Sequence, residues 1–220
     1  RPWSLGDPYL YRLNAELVVD GRVCDEATIP LGIRTISVDA RHGFRLNGST
    51  IKLKGGCVHH DNGLLGAASY ARAEERKVEL LLAAGYNAIR CAHNPPAPAL
   101  LDACDRLGML VIDETFDCWR TGKNPNDYHL YFEEWWARDT ASMVRRDLNH
   151  PAVIMWSIGN EVPERAGVSD GYVWAQRQAD FVRSLDGTRP VTSALPFLFE
   201  AVFQDALTAP ESVTDAQSMF

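Results

Sequence analysis

Residues 51–63 read Ile-Lys-Leu-Lys-Gly-Gly-Cys-Val-His-His-Asp-Asn-Gly, a strand-like run that passes straight into a polar cluster. The run predicts a strand over 51–58, with further strands at 87–91, 109–114, 153–158 and 190–194. Amphipathic segments separate them. Val78, Leu81 and Leu82 recur at helical spacing between Ala71 and Ala84, and Gly85 supplies a stop. Leu100, Leu101, Cys104 and Leu107 make the next stripe, closed by Gly108; Phe132, Trp135, Trp136 and Met143 make a third. Trp174, Phe181, Val182 and Leu185 make a fourth, ending at Asp186-Gly187. Strand–helix alternation builds a parallel sheet with right-handed crossovers. A doubly wound nucleotide-binding sheet carries a Gly-rich loop after its first strand. His59-His60-Asp61-Asn62-Gly63 is not such a loop, so the expected fold is α/β, a partial (β/α)8 barrel.

Outward from this stretch the pattern changes. Phe44-Arg45-Leu46 and Ile51-Lys52-Leu53 flank Asn47-Gly48, a hairpin signal. Further upstream, Tyr9 to Val19 is strand-like and ends at Asp20-Gly21, and a second run ends in Ile29–Ile36. Two or three strands cannot bury both faces of a sandwich. Residues 1–40 are therefore expected to be the C-terminal part of a β-sandwich that begins upstream, and 41–220 the N-terminal part of the barrel domain. Pro196 to Phe220, with Phe197, Phe199, Val202 and Phe203, fits either a short helix over the active-site face or a loop.

Bulk properties narrow the function. The 220 residues are 46% hydrophobic and 23% charged, with a net charge of −7 and no basic stripe, which speaks against a nucleic-acid partner. No apolar run reaches the length a membrane span needs. Cys24, Cys57, Cys91, Cys104 and Cys118 are odd in number and form no CxxC pair, so neither a disulfide framework nor a zinc site is expected. They read as small core residues that suit a reducing, cytoplasmic setting.

Polar residues collect immediately after the strands: His59, His60 and Asp61; then Arg90 with His93 and Asn94; then Asp113 and Glu114; then Asn160 and Glu161. In a (β/α)8 barrel these strand ends carry catalysis. Paired carboxylates at such positions suit glycoside hydrolysis, which needs an acid to protonate the leaving oxygen and a second carboxylate opposite it. Glu161 follows the apolar strand Val153–Ile158, and Asn160 beside it can donate to a sugar hydroxyl. Each position also has a plainer reading. Arg90 can anchor the barrel interior, Asp113 and Glu114 can form an ion-pair cluster, and Trp119 can pack its loop instead of stacking on a sugar. His150-Pro151 precedes its strand and reads as structural.

The run Arg146-Asp147-Leu148-Asn149-His150-Pro151 through Trp156-Ser157-Ile158-Gly159-Asn160-Glu161 resembles the acid/base signature of glycoside hydrolase family 2, which includes β-galactosidases and β-glucuronidases. Phe44 to Asp61, Asn87 to Pro95, and Cys104-Asp105 through Val111-Ile112-Asp113-Glu114 resemble three further motifs of that family, in order. The resemblance implies that residues 1–40 come from an immunoglobulin-like domain. It implies that Glu161 is the general acid/base, that Asn160 binds the sugar 2-hydroxyl, and that His60, Asp61, Arg90 and His93 line the glycone subsite. From their own positions Glu114 and Trp119 are expected on the substrate as well. The family's nucleophile ends the seventh strand, beyond the five read here, and none of Glu200, Asp205, Glu211 or Asp215 sits in such a context, so no nucleophile is assigned. The sequence departs from the family's usual Gly-Val-Asn-Arg-His-Asp at Gly56-Cys57-Val58-His59-His60-Asp61. Asp117-Cys118-Trp119-Arg120 stands where some members hold magnesium through Glu-x-His, so no metal is expected there, and no cofactor. The expectation is a retaining β-glycosidase, with a β-galactoside as carbohydrate partner. The alternatives are a β-glucuronidase or an inert carbohydrate-binding or structural fragment that associates through an open barrel edge.

Overall fold

The computed structural model describes residues 1–166 and 169–195. The expectation for Pro196 to Phe220 lies outside the described residues. Strand β1 (Tyr11–Val19) and β2 (Arg22–Leu31) form an antiparallel hairpin. Asp20 and Gly21 turn it at φ 49° and 73°, the left-handed pair that matches strand twist in a two-residue loop. Leu13, Leu17, Val23 and Ile29 stay exposed, so this hairpin buries neither face by itself.

The run expected to end at Ile36 divides. Ile36 opens β3 (Ile36–Asp39), which leaves the first hairpin and pairs with β4 (Gly43–Leu46). Asn47-Gly48 then makes the expected tight turn, at φ 51° and 80°, into β5 (Ser49–Thr50). The partner strand is shorter than expected. Ile51 returns one N–H to Phe44 O (3.0 Å), and Ile51 and Leu53 leave the ladder to pack on the core.

The main sheet is parallel, with β6 (Gly55–His59), β7 (Ala88–Ala92), β8 (Leu110–Glu114), β9 (Val153–Asn160) and β10 (Val191–Ala194) side by side in chain order. Helices α1 (Ala71–Ala83), α2 (Pro98–Leu107), α3 (His129–Asp147) and α4 (Gly171–Leu185) follow β6 to β9 in turn. Consecutive strand order with a helix after each strand is the winding of a (β/α)8 barrel. The first barrel strand starts at Gly55, later than expected; its backbone lies so close to β7 there that a Cβ would sit 2.2 Å from Ala88 O. In the sheet of the described residues, β6 and β10 are the edges.

The helix stripes bury as their spacing requires. Val78, Leu100, Leu101 and Cys104 are sealed against the sheet. Phe132 and Trp136, one turn apart on α3, meet Trp174 of α4 edge-on at 5.5 and 5.8 Å. Trp135 takes Arg138 over its ring instead. At the N-terminal end of the strands, Trp3 is fully buried and donates Nε1–H to Asp105 O at 2.7 Å. Arg34 donates to Pro151 O, and burial beside Arg189 lowers its pKa to about 10. His150 binds Asp105 at 2.6 Å. Burial pulls the imidazole down, yet the Asp105 bond outweighs it and raises its pKa. His150 is thus structural, as its place before the strand suggested.

Asp113 points away from the barrel interior. It is fully buried against Asp147, whose carboxylate takes the Arg146 guanidinium at 2.6 and 2.7 Å. Burial first, and Asp147 second, hold Asp113 well above the usual carboxylate range. It therefore keeps its proton in the fold and loses it on unfolding. A raised folded-state pKa stabilises below the unfolded value of 3.8 and loses that contribution as pH rises. Asp113→Asn is neutral at every pH, so it is expected to raise the melting temperature of the intact protein progressively above pH 4. The expected slope is at most about 1.4 kcal/mol per pH unit. Parallel wild-type and variant melting curves across pH 4–8 would contradict this account.

Candidate active site

The site forms on the inner face of the sheet at the C-terminal strand ends. Parallel register aligns Cys57, Arg90 and Ile112 across β6, β7 and β8, and Glu114 opposite Ser157 across β8 and β9. Glu114 is fully buried and organises the group. It accepts from Arg90 Nε (2.9 Å) and Nη2 (3.0 Å), from Ser157 Oγ (2.5 Å), and from His93 Nδ1 (2.8 Å). Bidentate pairing fixes the guanidinium plane, and the His93 bond directs the other ring nitrogen away from Glu114. Arg90 also donates to Asn160 Oδ1 at 2.6 Å and to Cys57 Sγ at 3.2 Å. His59 packs edge-on against His93, ring centres 5.2 Å apart. Arg90, Ile112, Met155 and Ser157 line a cavity of about 350 Å³ together with Val38 and Phe44 of the β3–β4 hairpin.

Asn160 reaches the cluster through an irregularity. Between Thr192 and Ala194 on β10 there is one residue; between their partners Ser157 and Asn160 on β9 there are two. The extra residue is a bulge, which re-aims the side chain that follows it. Strict alternation from Ser157 would have turned Asn160 outward. Gly159 makes room for it, since a Cβ there would lie 2.7 Å from Trp119 Nε1 and 3.0 Å from Val162 Cγ1. The Asn160 amide is then fixed at both atoms: Oδ1 accepts from Arg90, and Nδ2 donates to Asp117 Oδ1 at 2.8 Å. Glu161 follows at φ 43°, exposed, its N–H on Ala194 O at 2.8 Å. That backbone conformation costs a non-glycine residue about 1–2 kcal/mol.

Of the residues expected at the substrate, Arg90, His93, Asn160 and Glu114 come together. His60 and Asp61 are exposed on the loop after β6. Two expected contacts are corrected. Glu114 has no exposed surface with which to touch a ligand, and its oxygens are taken by Arg90, His93 and Ser157. Trp119 is 2% exposed and donates Nε1–H to Ile158 O at 2.8 Å, so its ring packs the loop against β9 and offers no sugar platform.

Three participants escaped the sequence reading. Ser157 sits on the inner face two residues after Met155, a signal that strand period could have supplied. Asp117 and Lys123 lie in the long loop between β8 and α3, where no periodicity marks them. Burial disfavours the charged form of Asp117, but Lys123 and Asn160 outweigh it and hold its pKa below the ordinary value. Among the described residues no three His, Cys, Asp or Glu side chains group as metal ligands.

The family model described as the TIM barrel domain of glycosyl hydrolases family 2 matches residues 37–210, and the model described as glycosyl hydrolases family 2 matches residues 1–34. The chain belongs to glycosyl hydrolase family 2. Among similar proteins, a β-galactosidase of Bacteroides ovatus is 51% identical over 178 residues, which are 81% of this chain and 20% of that protein. A putative β-glucuronidase of Formosa agariphila is 38% identical over 192 residues, 87% of this chain and 18% of that protein. The crystal structure of a family 2 member from Bacteroides cellulosilyticus superposes with a TM-score of 0.88 at 51% identity, covering 97% of this chain and 26% of that one. This family 2 chain thus spans about a fifth to a quarter of the proteins it resembles here. Its parallel sheet is part of the family's barrel, and the β1–β2 hairpin belongs to the immunoglobulin-like segment before it.

Two substitutions test this architecture in the intact protein. Glu114→Ala leaves the Arg90 guanidinium without its buried counter-charge, an expected loss of about 3–5 kcal/mol in chemical denaturation; a loss under about 1 kcal/mol would show that the pair is dispensable. Gly159→Ala is expected to displace Trp119 and lower activity with it, read as a change in tryptophan fluorescence. An unchanged emission spectrum with full activity would mean that the loop yields without cost.

Proposed function

We propose that the chain supplies the acid/base side of a retaining exo-β-glycosidase acting on terminal β-galactosides. Glu161 protonates the glycosidic oxygen as the bond to the sugar breaks, then removes a proton from the water that resolves the glycosyl-enzyme. Asn160 donates to the sugar 2-hydroxyl, and His60, Asp61, Arg90 and His93 line the glycone subsite. Residues 1–40 serve as the last part of the immunoglobulin-like domain and 41–220 as the first part of the catalytic domain.

The observation that carries this reading is the Arg90–Asn160–Asp117 chain of bonds, which holds the residue before Glu161 at the cleft with its amide orientation determined. The nearby carboxylates are already committed: Glu114 is buried behind Arg90, and Asp117 is bound by Lys123 and Asn160. We therefore assign the nucleophile to a strand end outside the sequence described here, and we infer that the edges β6 and β10 receive the remaining barrel strands. The 51% identity to a β-galactosidase, against 38% to a putative β-glucuronidase, favours the galactoside.

The test is hydrolysis of 4-nitrophenyl β-galactoside and β-glucuronide by the intact protein, its Glu161→Gln variant, and residues 1–220 alone. Expected are a higher kcat/KM on the galactoside, a loss of about 10²–10⁴-fold in the variant, and no turnover by residues 1–220. A preference for the glucuronide would move the substrate assignment, and full activity of Glu161→Gln would end the acid/base assignment. Turnover by residues 1–220 that the same substitution abolishes would place the second carboxylate within this sequence.

A further inference from the structure

The loop between β8 and α3 delivers one cation to the backbone beside Glu161. Lys123 Nζ donates to Asn160 O at 2.8 Å and to Asp117 Oδ1 at 2.6 Å. The carbonyl of Asn160 belongs to the peptide that joins Asn160 to Glu161. The N–H of that same peptide donates to Ala194 O at 2.8 Å. One peptide plane is thus gripped from both sides, by an ammonium on its oxygen and a β10 carbonyl on its hydrogen. The residue it carries has the left-handed backbone, φ 43°, that a glutamate does not adopt unaided.

Lys123 is itself held in place. Asp127 Oδ2 accepts from the backbone N–H groups of Lys123 and Asn124, both at 2.8 Å, and Asp127 Oδ1 binds His129. Gly122 lets the loop close on His129, since a Cβ there would lie 2.4 Å from Nδ1. Thr121 N–H is held by Glu164 Oε1 at 2.7 Å, just beyond Glu161 in the chain. Trp119 ties the start of the loop to Ile158 O. These bonds pin the loop at several points around Lys123, whose side chain is 24% exposed.

We propose that Lys123 is a positioning residue for Glu161, fixing the Asn160–Glu161 peptide so that the carboxyl is presented to the glycosidic oxygen. The inference rests on the acid/base role proposed for Glu161. Asp117 is the second half of the device, because its carboxylate holds both the ammonium and the Asn160 amide. Without the ammonium, the Asn160 carbonyl loses its charged donor and the left-handed turn at Glu161 has one fewer restraint.

Leaving-group dependence separates this role from a merely structural one. Protonation of the departing oxygen matters greatly for a phenyl glycoside and little for a 2,4-dinitrophenyl glycoside, and kcat/KM reports the step in which that bond breaks. In the intact protein, Lys123→Met is expected to lose about tenfold or more in kcat/KM on the phenyl glycoside and less than about threefold on the dinitrophenyl glycoside of the same sugar. Lys123→Arg, which keeps the charge, is expected to fall between Lys123→Met and wild type on the phenyl substrate. Equal losses on both substrates, or none on either, would overturn the proposal. Should Lys123→Met fail to fold, Lys123→Gln carries the same comparison. Glu161→Gln, measured alongside, must show the same selectivity. If it does not, the acid/base reading itself falls, a result distinct from one in which Glu161→Gln is selective and the Lys123 variants are not.

Discussion

The site depends on the pairing of Arg90 with Glu114. Both stand on the inner face of the sheet, on adjacent strands, and Glu114 has no access to water. A carboxylate in that position is tolerable only if its oxygens are satisfied, and Arg90, His93 and Ser157 between them do so. The same bonds orient the guanidinium so that Nη2 also reaches Asn160 while Nη1 meets Cys57. Charge compensation in the interior thereby becomes orientation at the surface of the cleft. His93 is placed by the same carboxylate, so one buried acid sets two groups that face the cleft.

A second ion pair continues the chain outward. Glu114, Arg90, Asn160, Asp117 and Lys123 alternate acceptor and donor across four elements of the sequence. Each of the two carboxylates has a cation, and each cation touches Asn160, Arg90 at the side-chain oxygen and Lys123 at the backbone oxygen. Such an arrangement costs little reorganisation when a polar ligand arrives, because the dipoles are already oriented. Asp113, one residue before Glu114, faces the opposite side of the sheet and follows the opposite logic. It shares its surroundings with Asp147 and remains protonated. Neighbours on one strand thus have opposite surroundings, Arg90 beside Glu114 and a second carboxyl beside Asp113, because the pleat sends them to different faces.

Much of this was legible in the sequence, and the reasons for the rest are specific. Strand–helix alternation and the glycine stops at Gly85 and Gly108 announced the barrel, because periodicity records which face is buried. Arg90, His93, Glu114, Asn160 and Glu161 were visible as polar residues at strand ends. What spacing could not convey was depth. Glu114 and Trp119 stood at the right positions for substrate contact, yet both are sealed from solvent, since burial at a strand end depends on which loop folds over it. Lys123 was invisible, and Asp117 was read only within a stretch that lacks metal ligands, for a related reason. Their loop has no period, and its shape comes from single bonds such as those of Asp127 to the backbone of Lys123 and Asn124. The short β5 was overestimated because Ile51 and Leu53 look like strand residues and instead serve the core.

Asn160 and Glu161 pose a geometric problem that any extended strand would fail to solve. Consecutive strand residues face opposite sides, so two neighbours cannot both serve one cleft while the pleat persists. The fold breaks the pleat twice. The bulge before Asn160 inserts one residue and returns the amide to the inner face. The left-handed backbone at Glu161 then turns the chain out of the strand immediately afterwards. Each departure carries a cost, and each has support within a few ångströms: Trp119 and Gly159 at the bulge, Lys123 and Ala194 at the turn. Strain maintained by surrounding contacts is characteristic of places where a protein needs a conformation that the chain would not choose. Here both supports on the Trp119 and Lys123 side come from one loop, so the segment least readable in the sequence is the one that holds the two residues most readable in it.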